Sequence, residues 1–240
     1  MKSKNLLSVL FTFLFVSALT MLAKSQTCNA YYSLSNGNEF EMTNYNAKDK
    51  VTGKTINKIS DVTTTTEGTM AKVETTTKNE KDEVEATTNS SIKCNGDKMY
   101  IEMKSFLPAQ SSKQFEGMDI KSDATWMELP QNLTVGMTLQ DATGTISMYS
   151  NGTLFSTMKI TVSNRKVESQ ESITTTAGTY TCYKITQDMT METITMGITI
   201  PVNIKSVEYH AVGVGSVKTE SYNKDGKLMG YSMLTKVTKL

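Results

Sequence analysis

The sequence has very few residues of the kinds that carry out catalysis. It contains one histidine, His210, and its three cysteines lack the C-x-x-C spacing of zinc sites. Catalytic devices of the Ser-His-Asp and Cys-His types need a histidine as their base, so His210 is the one candidate. It lies in an alternating strand pattern that is more typical of a structural residue. We predict a protein that is not an enzyme, with no catalytic residue, metal or cofactor; a hydrolase that uses His210 or a carboxylate pair is the least favoured alternative.

The sequence also lacks an excess of charge of either sign. Its 25 basic and 24 acidic residues are mixed along the chain. Three of the basic residues, Lys2, Lys4 and Lys24, lie in a predicted export signal, and subtracting them leaves 22 basic against 24 acidic residues. No basic stripe remains to neutralise a phosphate backbone, so we predict no nucleic-acid partner.

Long apolar runs are absent except at the N-terminus. The one run extends from Leu6 to Leu22, after a basic start and before the small residues that precede a cleavage site. This order is typical of a secretory signal peptide. We predict a signal peptide over residues 1–25, a single β domain over residues 26–240, and no transmembrane segment after cleavage. The predicted location is therefore outside the cytoplasm: periplasm, cell surface or extracellular space. An uncleaved membrane anchor is the alternative.

The remaining chain favours strands. Proline occurs only three times, whereas threonine, valine, isoleucine and tyrosine, which suit a pleated surface, are common. Stretches such as "KMYIEMKSF" and "TITMGITIPVNI" alternate apolar and polar residues, and Asn-Gly or Asp-Gly pairs separate several of them. We predict an all-β fold with a single, strongly curved antiparallel sheet of roughly ten to twelve strands, a half-barrel or barrel-like shape. One short helix is predicted near residues 108–116.

Three cysteines are an odd number for an oxidising compartment. Cys28 precedes the first predicted strand and Cys94 ends a strand at a turn, so both lie where the short Cα spacing of a disulfide is easily reached. We predict a bridge between Cys28 and Cys94. Cys182 lies inside a strand, with no histidine or helix N-terminus near it in sequence, and is predicted to be a free, buried thiol.

The apolar faces of the predicted strands are rich in methionine, of which the chain has 16. Methionine fills irregular cores and lines adaptable apolar surfaces. The leading hypothesis is that the concave face of the sheet holds a lipid-like ligand, another apolar ligand, or a segment of an envelope protein partner. The alternative is a structural or interaction protein of the cell surface with a fully packed core. The predicted lining residues are Phe106, Phe115, Trp126, Met158, Ile160, Met196 and Ile198.

Three stretches of the chain resemble a known family. "LPQNLTVGMTLQDA", "NRKVESQESITTTAGTYTCYKIT" and "GVGSVKTESYNKDGKLMGYSMLTKV" are similar to the TapB-like secreted proteins of Bacteroidota. The resemblance covers nearly all of the predicted mature chain and is strongest from Leu129 onwards. It implies an exported or envelope protein whose curved sheet is distantly similar to the half-barrels of periplasmic lipoprotein carriers. It implies no activity and no site residues.

Overall fold

The computed structural model describes residues 33–107, 117–123 and 125–239, and these residues form an antiparallel sheet of thirteen strands. The all-β prediction and the single antiparallel sheet are confirmed. The strands are β1 Glu39–Asn46, β2 Val51–Thr65, β3 Gly68–Asn79, β4 Val84–Cys94, β5 Lys98–Glu102, β6 Asp119–Ser122, β7 Trp126–Pro130, β8 Ala142–Ser150, β9 Thr153–Thr175, β10 Gly178–Thr195, β11 Ile198–Ala211, β12 Gly215–Tyr222 and β13 Leu228–Thr238. One turn of 3-10 helix, Met103–Phe106, follows β5. The helix predicted near 108–116 lies outside the described residues.

The order of the strands shows a sheet that curls back on itself. The order is β6-β8-β9-β10-β11-β12-β13-β1-β2-β3-β4-β5-β7, so the two edges, β6 and β7, are consecutive in the chain. The stretch from Asp119 to Pro130 first pairs with β8 at one edge and then with β5 at the other. Because one short stretch reaches both edges, these edges must lie next to each other. The backbone ladder between them is not closed.

The two edges approach each other closely where β8 meets the chain that follows β5. The pairing of each edge continues past its last strand residue: the N–H of Thr145 on β8 donates to Asp123 Oδ2 at 2.8 Å, beside β6, and the N–H of Met103 donates to the carbonyl of Thr125 at 3.0 Å, beside β7. Gly144 permits this close approach, since a Cβ at that position would lie 2.5 Å from the Cβ of Met103.

Two apolar clusters form the core. The first cluster joins strands from most of the sheet and contains Phe40, Ile59, Cys182 and Leu234, among others. The second cluster lies where the edges meet and contains Met103, Met127, Ile146, Met158, Ile160 and Met191, among others. Strands β8 and β9 contribute to it by the period-2 alternation expected of strands with one buried face.

Candidate ligand-binding face

The hairpin of β10 and β11 extends past its neighbour on one side. Pairing between β11 and β12 begins only at Lys205, which faces Tyr222. The seven residues Ile198–Ile204 pair with β10 alone. At the rise of a strand this overhang is roughly 23 Å long. It exposes one edge and both faces of β11 to solvent.

One face of the overhang is an apolar continuation of the core. Four alternate residues of β11 lie on the face that carries Met191 of the second cluster, since Met191 faces Val202 across the ladder. We name this row the concave strip: Ile198, Ile200, Val202 and Ile204. Ile204 still packs against the second cluster, but exposure then rises from 44% for Val202 to 65% for Ile198. The apolar surface therefore leaves the core and runs uncovered to the hairpin end.

The open edge of this overhang is poorly suited to pairing with another strand. A two-residue turn makes Thr195 and Ile198 the first hydrogen-bonded pair, so alternation points the backbone groups of Thr199, Pro201 and Asn203 away from β10. Pro201 has no N–H to offer at this edge, and proline at such positions blocks strand addition. The exposed feature that remains for binding is the apolar face.

Charge is absent from the overhanging part of the hairpin. Residues 193–204 contain no Asp, Glu, Lys or Arg, and Glu192 and Lys205 bound the stretch. A charge-free, exposed stretch carrying four large apolar side chains is uncommon on a monomeric soluble protein and is typical of an interaction site.

The structure brings together only some of the predicted lining residues. Met158 and Ile160 are buried in the second cluster, and Phe106 packs against it. Met196 and Ile198 lie together at the exposed end of the β10–β11 hairpin.

Two of the predicted lining residues are not part of this group. Trp126 alternates with the buried Met127 and Leu129, and its ring lies on the other side of β7, 4.4 Å from the ammonium of Lys93. Phe115 lies outside the described residues. The predicted lining omits Ile200, Val202 and Ile204, although the alternation from Ile194 to Ile204 and the absence of charge there are the signals that could have found them.

The cysteines occupy different environments. Cys182 is free and buried, as predicted. Its burial, together with the nearby charge of Glu171, raises the pKa of the thiol to about 11, so the reactive thiolate is scarce at neutral pH. Cys94 is buried at the end of β4, and the side-chain amide of Gln131 contacts its Sγ at 2.9 Å. The Cys28–Cys94 bridge stays a prediction, because Cys28 lies outside the described residues.

His210 belongs to a buried polar network instead of an open cleft. Its Nε2 lies 2.7 Å from Glu208 Oε2, and since a carboxylate accepts, the histidine donates. Gln187 donates to the other oxygen of Glu208 at 2.7 Å and accepts from Arg165 Nε at 3.2 Å. Burial alone would raise the pKa of Glu208, but the hydrogen bond from His210 and the charges of His210 and Arg165 hold it below its ordinary value.

Arg165 extends this network to the opposite edge of the sheet. Burial lowers the pKa of its guanidinium, and the charge of Glu208 opposes this shift. Its Nη1 donates to the carbonyl of Glu128 on β7 at 2.9 Å and to that of Gln140 at 2.7 Å. These hydrogen bonds satisfy polar groups that the fold removes from water, so the geometry suits a structural link between β9 and β7.

Neither a metal-binding cluster nor a membrane-spanning helix occurs in the described residues. Within the ranges that the structure describes, no group of three or more His, Cys, Asp or Glu side chains is arranged to hold a metal ion. No helix in the same part of the chain is long and apolar enough to cross a membrane.

Comparison with known proteins finds solved structures of similar fold and a matching family model. A crystal structure from Parabacteroides distasonis, provisionally described as a lipoprotein, has a TM-score of 0.72 at 18% identity, over 88% of this chain and 99% of that one. A second, from Bacteroides fragilis and provisionally described as an exported protein with a YmcC-like fold, has a TM-score of 0.70 at 18% identity, over 88% and 100%. No curated protein matches the chain. The model of the DUF3108-like family matches residues 35–234, and the chain therefore belongs to the DUF3108-like family.

Proposed function

We propose that this protein is an exported, non-enzymatic protein of the bacterial envelope that binds a lipid-like, apolar ligand on the concave strip. The observation that carries the proposal is the uncovered apolar row Ile198, Ile200, Val202 and Ile204, which continues from the packed second cluster into solvent. An acyl chain laid along this row would extend the core outward and remove the exposed side chains from water. Burial of each large apolar side chain would contribute about 1.5–3 kcal/mol at most.

Export is supported by two independent features. The first 25 residues have the order of a signal peptide. The two similar crystal structures are of proteins provisionally described as a lipoprotein and an exported protein. A closer relationship to the TapB-like proteins, and the analogy with half-barrel lipoprotein carriers, belong to the same proposal.

The second candidate function is the binding of a segment of an envelope protein partner on the same strip. The exposed apolar row favours it as well. Addition of a partner strand to the open edge is less favoured, because Pro201 removes an edge donor. A partner would therefore have to pack on the face of β11, as an acyl chain would.

The proposal is tested by ligand recovery and by titration. Protein purified from its host envelope is extracted and analysed by mass spectrometry, and a fluorescent fatty acid is titrated into the delipidated protein. We expect bound lipid, and we expect the double variant Ile200→Thr, Val202→Thr to bind the fatty acid about tenfold more weakly, because it replaces apolar contact area with hydroxyls.

The matched control makes the same kind of apolar-to-threonine substitution outside the strip. Val51→Thr and Val84→Thr change exposed valines on β2 and β4, away from the strip, and should leave the fatty-acid affinity unchanged. Absence of lipid in the native preparation, together with equal fatty-acid binding by the strip variant and the control, would contradict the proposal. A protein recovered with the wild type but not with the strip variant would favour the second candidate.

A further inference from the structure

A second apolar surface lies at the very end of the same hairpin and on its neighbour. We name it the apolar tip: Leu154, Ile194 and Met196, all exposed. Ser156 on β9 faces Thr195 on β10, so the register places Leu154 level with the Met196–Gly197 turn. Ile194 lies on the face opposite to the concave strip, since it faces Thr199 while Thr195 faces Ile198. The tip is thus apolar on both of its sides.

The turn at the tip places a methionine in a backbone conformation that this residue type disfavours. Met196 has φ 50° and Gly197 has φ 80°, the two positive values of a two-residue hairpin turn. In the described part of the chain, the other non-glycine residues with positive φ are all Asp or Asn: Asp49, Asp61, Asp82, Asn151 and Asn164. Those two types tolerate this conformation, whereas a long apolar side chain does so at a cost.

Met196 is also the most exposed large apolar side chain in the described residues, at 86%. It therefore lowers stability twice, through its backbone conformation and through its contact with water. At this exposure most of the side chain has no packing contact with the rest of the described residues. Local strain of this kind is retained where another interaction depends on it.

The charge around the tip sets it apart from the other turns at this end of the sheet. Residues 142–158 and 193–204, which form the turn ends of the two neighbouring hairpins, contain no charged residue. By the antiparallel order of the strands, the β1–β2, β3–β4 and β12–β13 turns lie at the same end, and each carries lysine and aspartate. The turn ends of two hairpins therefore contain no charged residue, whereas the three other turns at this end do.

We infer that the apolar tip inserts into the surface of a lipid bilayer. A groove on a protein would cover one side of a β-ribbon, whereas a bilayer surface surrounds a projecting, two-sided and uncharged tip. Insertion by 5–10 Å, usual for elements that lie in the interface, corresponds to about two or three residues of strand, which matches the distance from Ile194 to the turn. This inference goes beyond the proposed ligand site, because it concerns different residues, at the turn and on both faces beside it.

Vesicle flotation tests the inference with a variant that the fold should tolerate. Wild-type protein and M196N are mixed with phosphatidylcholine vesicles, with and without phosphatidylglycerol. Asparagine followed by glycine is the favoured pair for this turn, so M196N should melt at the same temperature as the wild type or higher. We expect it to partition about tenfold less into both kinds of vesicle, because the inserted thioether side chain is lost. The binding should depend little on salt.

The control M70T removes an exposed methionine from β3 and should bind vesicles as the wild type does. All proteins compared carry the same N-terminus, so the difference reports on the tip. Equal partition of M196N and wild type would overturn the inference, as would binding that needs the anionic lipid and disappears in salt. A dimer seen by sedimentation without lipid and lost in M196N would overturn it too.

These assays test the ligand proposal and the membrane inference independently of each other. The strip variant Ile200→Thr, Val202→Thr lacks the fatty-acid site but keeps the apolar tip, and M196N does the reverse. Loss of vesicle binding in M196N with unchanged fatty-acid affinity supports the membrane inference alone, and failure of vesicle binding leaves the ligand proposal untouched.

Discussion

At the scale of single residues, Arg165 shows how a buried charge is accommodated in this fold. Its guanidinium is almost fully buried, yet it donates to Gln187 and to the carbonyls of Glu128 and Gln140. The register between β9 and β10 shifts beside it, and Asn164 has a positive φ of 53°. Such a bulge turns a side chain away from its regular face. The polar chain Arg165–Gln187–Glu208–His210 therefore lies inside the molecule, joined by hydrogen bonds between its successive members.

Loss of the guanidinium should destabilise the fold strongly. Arg165→Met keeps much of the side-chain length but leaves two carbonyls without a donor and removes the guanidinium charge near Glu208, so we expect unfolding to require about 3–5 kcal/mol less. Urea unfolding followed by the fluorescence of Trp126 measures this. The neighbouring Lys166→Met changes a half-exposed residue and should shift the free energy by no more than about 0.5 kcal/mol. Equal effects of the two variants would contradict a structural role for the network.

At the scale of elements, the β10–β11 hairpin is the part of the sheet in which apolar side chains are exposed where the strand pattern calls for polar ones. A strand with one solvated face is expected to be polar on that face, and β8 and β9 follow this rule where they form the second cluster. Toward the turn of this hairpin both faces are exposed, yet Ile194 of β10 lies on one and Ile198, Ile200 and Val202 of β11 lie on the other. The overhanging part of β11 is held in place by its backbone pairing with β10 and not by burial of its side chains.

Pro201 should protect the open edge of this hairpin from association with other chains. Pro201→Thr restores an outward N–H next to Thr199 and Asn203, so we expect concentration-dependent association, measured by light scattering on a sizing column. Adding Thr199→Pro to that variant blocks a neighbouring donor and should return the protein toward the wild-type mass. A monodisperse Pro201→Thr variant at all concentrations would contradict the protective role.

At the scale of the whole molecule, the curvature depends on how the two edges of the sheet meet. The ladder does not close between β6 and β7, so the contact relies on the chain crossing from one edge to the other and on the packing of Met103 against Gly144. Arg165 on β9, the third strand from the β6 edge, adds a hydrogen bond to β7 at the other edge. The second cluster, and with it the base of the concave strip, exists only because these edges lie together.

A side chain at Gly144 should therefore disturb the whole sheet. Gly144→Ala places a Cβ 2.5 Å from the Cβ of Met103 and 2.6 Å from Thr125 Oγ1, and we expect a loss of about 1–3 kcal/mol by overpacking. Thermal unfolding by circular dichroism measures the change. Ser147→Ala on the same strand points to the other face and serves as the control, with an unchanged melting temperature expected. An unaffected Gly144→Ala variant would show that the edges can separate at little cost.

Sequence patterns predict where the strands lie better than they predict which strands pair with each other. Alternation and the Asn-Gly and Asp-Gly turns locate most strands, because both signals are local. The predicted ten to twelve strands fall slightly short of the thirteen in the described residues, and the short β6 has little room for alternation. Trp126 is predicted to line the ligand face, but the face that it occupies depends on the register with β5, where it lies opposite Glu102.

The sequence by itself determined the fold class, the free and buried Cys182, and the alternating row that became the concave strip, because each depends on residue type and on a period of two. Only the tertiary structure decided which strands end level with their neighbours. The overhang of Ile198–Ile204 exists because β12 stops pairing at Tyr222, and nothing in the sequence of β11 records where its neighbour ends. The same apolar alternation is buried in β9 and exposed in β11, since burial depends on what lies across the sheet.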